Sequence, residues 1–328
     1  MKPPAQPGAR AGPAATTVRP SDLFCTTIIP TIGRDSLGQA VESVLNQKVD
    51  RLFEVLVVND SGRPLAAEAW QNDARVRVIG TQRRERCVAR NTGAALAGGR
   101  YLHFLDDDDW LLPDALTVFS ELAQTNTAAW LYGATQLVDA AGQCLFQFDH
   151  QLSGNCLTPV LTGEWVPLQA SLIDAAAFFD VGGFDASLAS VEDKDLLARM
   201  AARYDLGGTA IAVAAIRRGT WASSTDWNSV AQNVLRAREP VLDQPGVYKR
   251  MRASAGSSYW QGRLFRTYLI SVVWNWQHGN AARVFSRCLR AAACLALAGP
   301  RLLARDYWWA VSHRHLTRGF VPAGGPPG

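Results

Sequence analysis

From about residue 23 to residue 125, short β-branched runs alternate with segments whose apolar residues recur at helical spacing. Phe24 to Ile29 has the character of a buried strand that ends at Pro30. Leu37, Ala40, Val41, Val44 and Leu45 then share one face of a helix. Phe53 to Val58 is a second buried strand, closing on Asn59-Asp60-Ser61-Gly62, and Val76 to Ile79 is a third. Cys87 to Ala97 is helical in pattern, with Gly98-Gly99 placed as its C-terminal cap. Tyr101 to Leu105 forms a fourth strand. Such alternation predicts an α/β fold with a mostly parallel sheet, right-handed crossovers, and sites gathered where the strands end.

Past residue 129 the pattern shortens. Trp130 to Val138 and Cys144 to Phe148 flank a turn at Ala141-Gly142, and Trp165 to Ile173 is a further extended piece. Val181 to Asp185 is a loop, and Glu192 to Tyr204 is an amphipathic helix with Leu196, Leu197 and Met200 inward. Asp193 and Asp195 fall in its first turn, with Lys194 between them; Lys194 and Asp195 are expected to face solvent. From about 229 onward the signals are helical, with Arg and Trp interleaved and no internal repeat. Three parts follow: a Pro-, Ala- and Gly-rich leader at 1–22 expected to be disordered, an α/β unit at 23–228, and a helical extension at 229–328.

Charge sharpens that division. The net charge of +4 conceals 14 Lys and Arg against 3 Asp and Glu from Ser229 onward, and 19 against 26 before it. The basic part suits an anionic membrane surface, an anionic acceptor or an acidic partner; it carries no nucleic-acid reading motif, so nucleic acid is not an expected partner. The six cysteines show neither C-x-x-C pairing nor zinc-ligand spacing and read as free thiols of a reducing compartment. No apolar run reaches the roughly 18–20 residues of a spanning helix. The expected location is the cytoplasm, or the cytoplasmic face of a membrane.

The candidate chemistry centres on Asp106-Asp107-Asp108-Asp109, which follows the fourth strand directly. Four adjacent carboxylates in a partly dry site repel one another unless a cation sits among them. At the carboxyl end of a strand they point to a divalent metal, Mn²⁺ or Mg²⁺, whose coordination a phosphorylated ligand completes. A solvated acidic turn would have the same composition. Glu192-Asp193 at a helix start is open to two readings as well: catalytic acids, or first-turn acids favoured by the helix dipole.

Taken in order, Pro30-Thr31, Val57-Val58-Asn59-Asp60-Ser61, Ala89-Arg90-Asn91-Thr92-Gly93-Ala94, Phe104-Leu105-Asp106-Asp107-Asp108-Asp109-Trp110, Gly182-Gly183-Phe184-Asp185 and Glu192-Asp193 resemble the family 2 glycosyltransferases over roughly residues 23 to 225. The resemblance implies a GT-A fold, a Rossmann-like sheet flanked by helices, and an inverting transfer from a nucleotide-diphospho-sugar, UDP-linked first of all. It places Thr31 and Asp60 at the nucleoside, Arg90 near the base or phosphates, Asp106 and Asp107 at ribose and metal-bound water, and Asp108, with Asp106, on the metal. The register of the acidic motif stays open by one residue. Asp193 is implied as the general base, with Glu192 beside it.

Two departures stand out. Asn59 occupies a position where the family carries a second Asp, and Arg217-Arg218-Gly219-Thr220-Trp221 lacks a histidine that many relatives have. Arg217 or Arg218 would then serve the phosphates, while Trp221 and Trp227 read either as an apolar platform for a sugar ring or as core packing. In the basic extension, Arg283, Arg287 and Arg290 beside Leu289, Leu295 and Leu297 read either as a membrane-surface helix or as a packed helix with solvated arginines. The acceptor is a saccharide, a lipid-linked sugar or another hydroxyl compound of polysaccharide, glycolipid or glycoconjugate synthesis. The alternatives are a catalytically inactive nucleotide-binding scaffold acting through the basic helices, and a nucleotidyltransferase. The second of these lacks its Gly-rich loop after the first strand.

Overall fold

The structure, a computed structural model, describes residues 23–82, 85–188, 190–217 and 227–313. The leader assigned to 1–22 lies outside the described residues, as do Arg218 and Trp221.

Strand β1 (Leu23–Thr31) leads through helix α1 (Leu37–Leu45) to β2 (Leu52–Asn59). β3 (Val76–Gly80) leads through α2 (Arg86–Leu96) to β4 (Tyr101–Phe104). The spatial order is β3-β2-β1-β4 with every neighbouring pair parallel, so the chain runs in one direction through the half of the sheet read first. β1, β2 and β4 are buried on both faces, whereas β3 at the sheet edge is half-buried to exposed. Val55 and Val57 point into one apolar cluster, while Leu56 and Val58 point into the other.

Gly98-Gly99 is not a left-handed helix cap. Ala97 leaves α2 in an extended conformation, and the glycines carry the chain flat across β1. A Cβ on Gly99 would stand 2.4 Å from the backbone nitrogen of Thr26, so close approach, not a positive φ, requires glycine here.

The short β5 (Trp110–Leu111) is followed by α3 (Ala115–Thr125), β6 (Trp130–Val138), β7 (Cys144–Phe148), α4 (Leu157–Thr162), β8 (Ser171–Asp174), α5 (Ala175–Asp180), α6 (Glu192–Arg203) and β9 (Leu206–Arg217). These carry the sheet beyond β4 in the order β8-β6-β9-β5, with β7 paired to β6. Strand direction changes at this seam. β8 is antiparallel to both β4 and β6, whereas β6 and β9 are parallel. The piece read as extended from Trp165 to Ile173 is a strand only from Ser171; a 3-10 turn at Leu168–Ala170 precedes it.

Helices α7 (Trp227–Asp243), α8 (Val247–Ser254), α9 (Ser258–Gln277), α10 (Ala281–Ala298) and α11 (Arg305–Ser312) follow. Their Val241, Met251, Leu264, Tyr268, Cys294 and Tyr307 belong to the same buried cluster as Ile28, Leu56 and Phe104 of the sheet. The basic extension therefore packs on the α/β part through continuous apolar burial. That burial also explains Arg287, which lies on the inner face of α10 and bonds to Glu239 and Asp243 instead of facing solvent. Arg283 pairs with Asp243, and Arg290 lies over the Tyr248 ring. Asp195, also expected at the surface, is buried against Arg199 at 2.5 Å, while Lys194 is exposed as expected.

Candidate active site

The carboxyl ends of β1, β2 and β4 bring Thr31, Asp60 and the acidic run to one edge of the sheet. Thr31, Asp60, Asp106, Asp107 and Asp108 line a cavity of about 390 Å³ there, together with Arg34 and Arg90. Asp60 is buried and fixed: its carboxylate accepts from the Thr81 hydroxyl at 2.5 Å and from the Glu85 backbone N–H at 2.5 Å. Asn59 is spent on its own turn, accepting from Ser61 and donating to the Arg63 carbonyl. The amide does a turn-closing job that needs both a donor and an acceptor, which a carboxylate could not fill.

The four consecutive aspartates have four different environments. Asp106 accepts from Arg90 at 2.6 Å and from Gln169 at 2.9 Å. Asp107 accepts from Thr31 at 2.5 Å and from Arg34 at 2.5 Å. Asp108 lies 3.2 Å from Arg34 and keeps 44% of its side chain exposed. Asp109 is buried, accepting from Gln169 at 2.8 Å and from the Arg217 backbone N–H at 2.8 Å. Burial pushes Asp106 upward, but the Arg90 charge and hydrogen bond overcome this and hold it below the ordinary carboxylate range. Asp108 is raised, mainly by burial. Asp109 is pushed up to about 8, first by burial and then by the charge of Asp106.

Asp106, Asp108 and Asp109 each bring a carboxylate oxygen into a group within 4.8 Å of one another. The donor set suits a hard divalent cation, and the raised carboxyls are what a cation-binding cluster shows when only its own charges are counted. The grouping differs from the expected pair of Asp106 and Asp108: Asp109 joins it, and Asp107 is committed to Thr31 and Arg34. Composition could not reveal this, because burial and partners, not residue type, separate the four.

Arg90 is the link to the second acidic motif. Its guanidinium is buried, donating to Asp106 through one nitrogen and to Glu192 at 3.0 Å through another, and it lies over the Phe184 ring. Arg86 adds a contact of 3.3 Å to Glu192. One planar cation thus joins the end of β4 to the start of α6, a geometry that guanidinium suits and ammonium does not. Asp193 is the next residue. Its carboxylate accepts from the Trp165 indole N–H at 2.8 Å and from the Lys194 backbone N–H at 2.8 Å. Val191, immediately before the pair, is held at φ 63°, a left-handed conformation costly for a β-branched side chain.

Arg217, one of the two arginines assigned to the phosphates, donates through Nε to the Asp108 carbonyl at 3.3 Å. Its guanidinium donates to the Ala140 carbonyl and to Gln39, and lies over the Trp110 ring. Arg34, Gln169 and Trp165 hold parts of the site without having been singled out from the sequence. Gln169 sits in the 3-10 turn that the sequence pattern presents as extended, and no spacing rule carries its amide to two aspartates 60 and 63 residues earlier.

Removing Arg90 would leave Asp106 and Glu192 without their shared partner in a buried setting. Arg90→Met is expected to destabilise the protein by about 3–5 kcal/mol, measured by urea unfolding. A loss below about 1 kcal/mol would show that the bridge is not the compensating contact described here.

Residues 26–143 match the family model described as Glycosyl transferase family 2. An uncharacterized glycosyltransferase of Rickettsia bellii is 26% identical over 235 residues, which is 70% of this chain and 34% of that protein. A chondroitin synthase of Escherichia coli is 27% identical over 172 residues, 49% of this chain and 24% of that protein. The chain spans about a third of the length of the curated relatives it matches. Among solved structures, S. aureus TarS 1-349 in complex with UDP-GlcNAc superposes with a TM-score of 0.56 at 15% identity, covering 81% of this chain and 89% of that one. That likeness concerns the fold, which is of the GT-A type. The motifs of residues 26–143, now placed along one sheet edge, are those that match a Glycosyl transferase family 2 domain.

Proposed function

We propose that the protein is a metal-dependent, inverting glycosyltransferase that moves a sugar from a nucleotide-diphospho-sugar, UDP-linked first of all, to a hydroxyl acceptor in polysaccharide, glycolipid or other glycoconjugate synthesis. The observation that carries this reading is the Arg90 bridge. It sets a carboxylate cluster short of positive charge beside a second carboxylate, Asp193, held by two N–H donors. The TarS complex with UDP-GlcNAc supports the choice of donor class.

In this reading Thr31 and the fixed Asp60 border the nucleoside, and Asp106, Asp108 and Asp109 hold Mn²⁺ or Mg²⁺. When bound, that ion supplies Lewis-acid stabilisation of the charge growing on the departing nucleoside diphosphate. Asp107 orders the loop after β1 through Thr31 and Arg34. Asp193 acts as general base, taking the proton of the acceptor hydroxyl as its oxygen attacks the anomeric carbon opposite the leaving phosphate. Its hydrogen bonds from Trp165 and Lys194 orient the carboxylate and leave acceptor capacity on both oxygens. Glu192, bound to Arg90 and Arg86, is a positioning residue.

The outer faces of the last helices support membrane association. Leu269, Val273 and Trp276 of α9, Phe285, Leu289 and Leu297 of α10, and Trp308 and Trp309 of α11 are exposed. Exposed Arg290, Arg301 and Arg305 lie among them, giving the apolar and cationic mixture that anionic lipid attracts. Among the described residues no helix is long and apolar enough to cross a membrane. The proposed contact is therefore peripheral, and it rests on these apolar side chains, since Arg283 and Arg287 are tied to Asp243 and Glu239.

Asp193→Asn should keep UDP binding and lose transfer by about 10²–10⁴-fold in a radiolabelled-donor assay; full activity would remove Asp193 as the base. In flotation with phosphatidylglycerol vesicles, Phe285→Glu with Leu289→Glu should abolish cosedimentation of the wild-type protein. Unchanged flotation of the double variant would exclude this face.

A further inference from the structure

A second cavity, of about 520 Å³, opens beside Asp193 and shares no lining residue with the cavity at the acidic run. It lies between the end of α4, the start of α6, α7 and α9. Val191 and Lys194, which flank the Glu192-Asp193 pair, are in its wall, and so is Glu164, the neighbour of the Trp165 that bonds to Asp193.

The charge of this wall is unbalanced. Arg238, Arg263, Arg266 and Lys194 face Glu164 and Asp195, and Asp195 is already paired with Arg199. Arg263 donates to the carbonyls of Ala310, His313 and Thr162, and Arg266 donates to the Val311 carbonyl, all neutral acceptors. Arg238 is 93% buried on its 7% exposure, and its Nε and Nη2 have no hydrogen-bond partner among the described residues. The Glu239 carboxylate is 4.0 Å away, beyond hydrogen-bond range, and its other oxygen is occupied by Ser271, Asn275 and Arg287. Burial pulls the Arg238 pKa down to about 10, with Arg287 and Arg263 opposing Glu239. Nε and Nη2 are sealed from the cavity and Nη2 faces Glu239. Nη1 also has no hydrogen bond among the described residues and is not sealed in this way, so it is the donor an oxyanion in the cavity would meet.

We propose that this cavity binds a phosphate group carried by the acceptor, with Arg238 as its buried contact and Arg263 and Arg266 supplying the surrounding positive field. The proposal rests on Asp193 being the base that faces the acceptor, and it identifies the acceptor class as a phosphorylated one. A guanidinium N–H and a phosphate oxygen form a charge-assisted hydrogen bond of this kind, and Val191, Lys194 and Glu164 in the wall are sequence neighbours of Asp193 and of its partner Trp165.

The test is calorimetric titration of inorganic phosphate at constant ionic strength, with UDP and Mg²⁺ saturating the acidic-run cavity. Wild type should bind, and Arg238→Gln should weaken phosphate at least tenfold while UDP affinity stays unchanged. Arg266→Gln, at a half-buried position, should weaken it severalfold and covers the case in which Arg238→Gln does not fold. Phosphatidylglycerol vesicles form a second arm. Loss of vesicle binding together with phosphate in Arg238→Gln assigns the phosphate to a lipid headgroup, whereas loss of free phosphate alone assigns it to a soluble acceptor. Absence of phosphate binding in wild type, or equal affinity in both variants, overturns the proposal. Asp193→Asn should bind phosphate normally, so failure of the anion site and failure of the base assignment give different results.

Discussion

Five carboxylates, Asp106 to Asp109 and Glu192, share one end of the sheet with three guanidinium groups that pair with them, those of Arg34, Arg86 and Arg90. Two negative charges are left over. At an effective dielectric near 20, each like-charge pair about 5 Å apart costs about 3 kcal/mol, so the imbalance cannot be ignored locally. The protein disperses part of it by bringing in neutral donors, Gln169, Thr31 and the Arg217 backbone, and part by raising Asp109 to about 8. With all five carboxylates ionised, the excess of two equals the charge of one divalent ion. The parallel half of the sheet, the flat crossing at Gly99 and the strained entry to α6 all place groups around this deficit.

The same interaction explains why the two acidic motifs act as one site. They lie more than 80 residues apart in the chain, after β4 and at the start of α6, and among the described residues only the buried Arg90 guanidinium touches both. A lysine would reach one carboxylate or the other without fixing their separation. This plane fixes the separation between Asp106 and Glu192, the residue just before Asp193.

Much of this was readable from the chain, and the limits have physical causes. The parallel strands, α2 and α6 were legible because burial on one or both faces imposes its period directly on the residues, as at Val55 to Val58 and at Leu196, Leu197 and Met200. The acidic run was legible because four adjacent like charges need an explanation wherever they occur. Which aspartates cluster was not, since Asp107 differs from Asp109 only by the tertiary partners each meets. Gln169, Arg34 and Trp165 were invisible for the same reason. The basic helices misled in one respect: Arg287 has surface chemistry but lies 3% exposed, because Glu239 and Asp243 of α7 wait for it. Periodicity shows a helix face but not which face finds a countercharge.

The most direct test of the charge deficit is calorimetric titration of UDP with Mn²⁺ and with EDTA. Wild type should bind UDP at least about tenfold tighter with the ion, a difference of about 1.4 kcal/mol or more. Asp108→Ala and Asp109→Ala should each erase that difference, whereas Asp193→Asn should preserve it. Equal UDP affinity in Mn²⁺ and in EDTA for wild type would contradict the account.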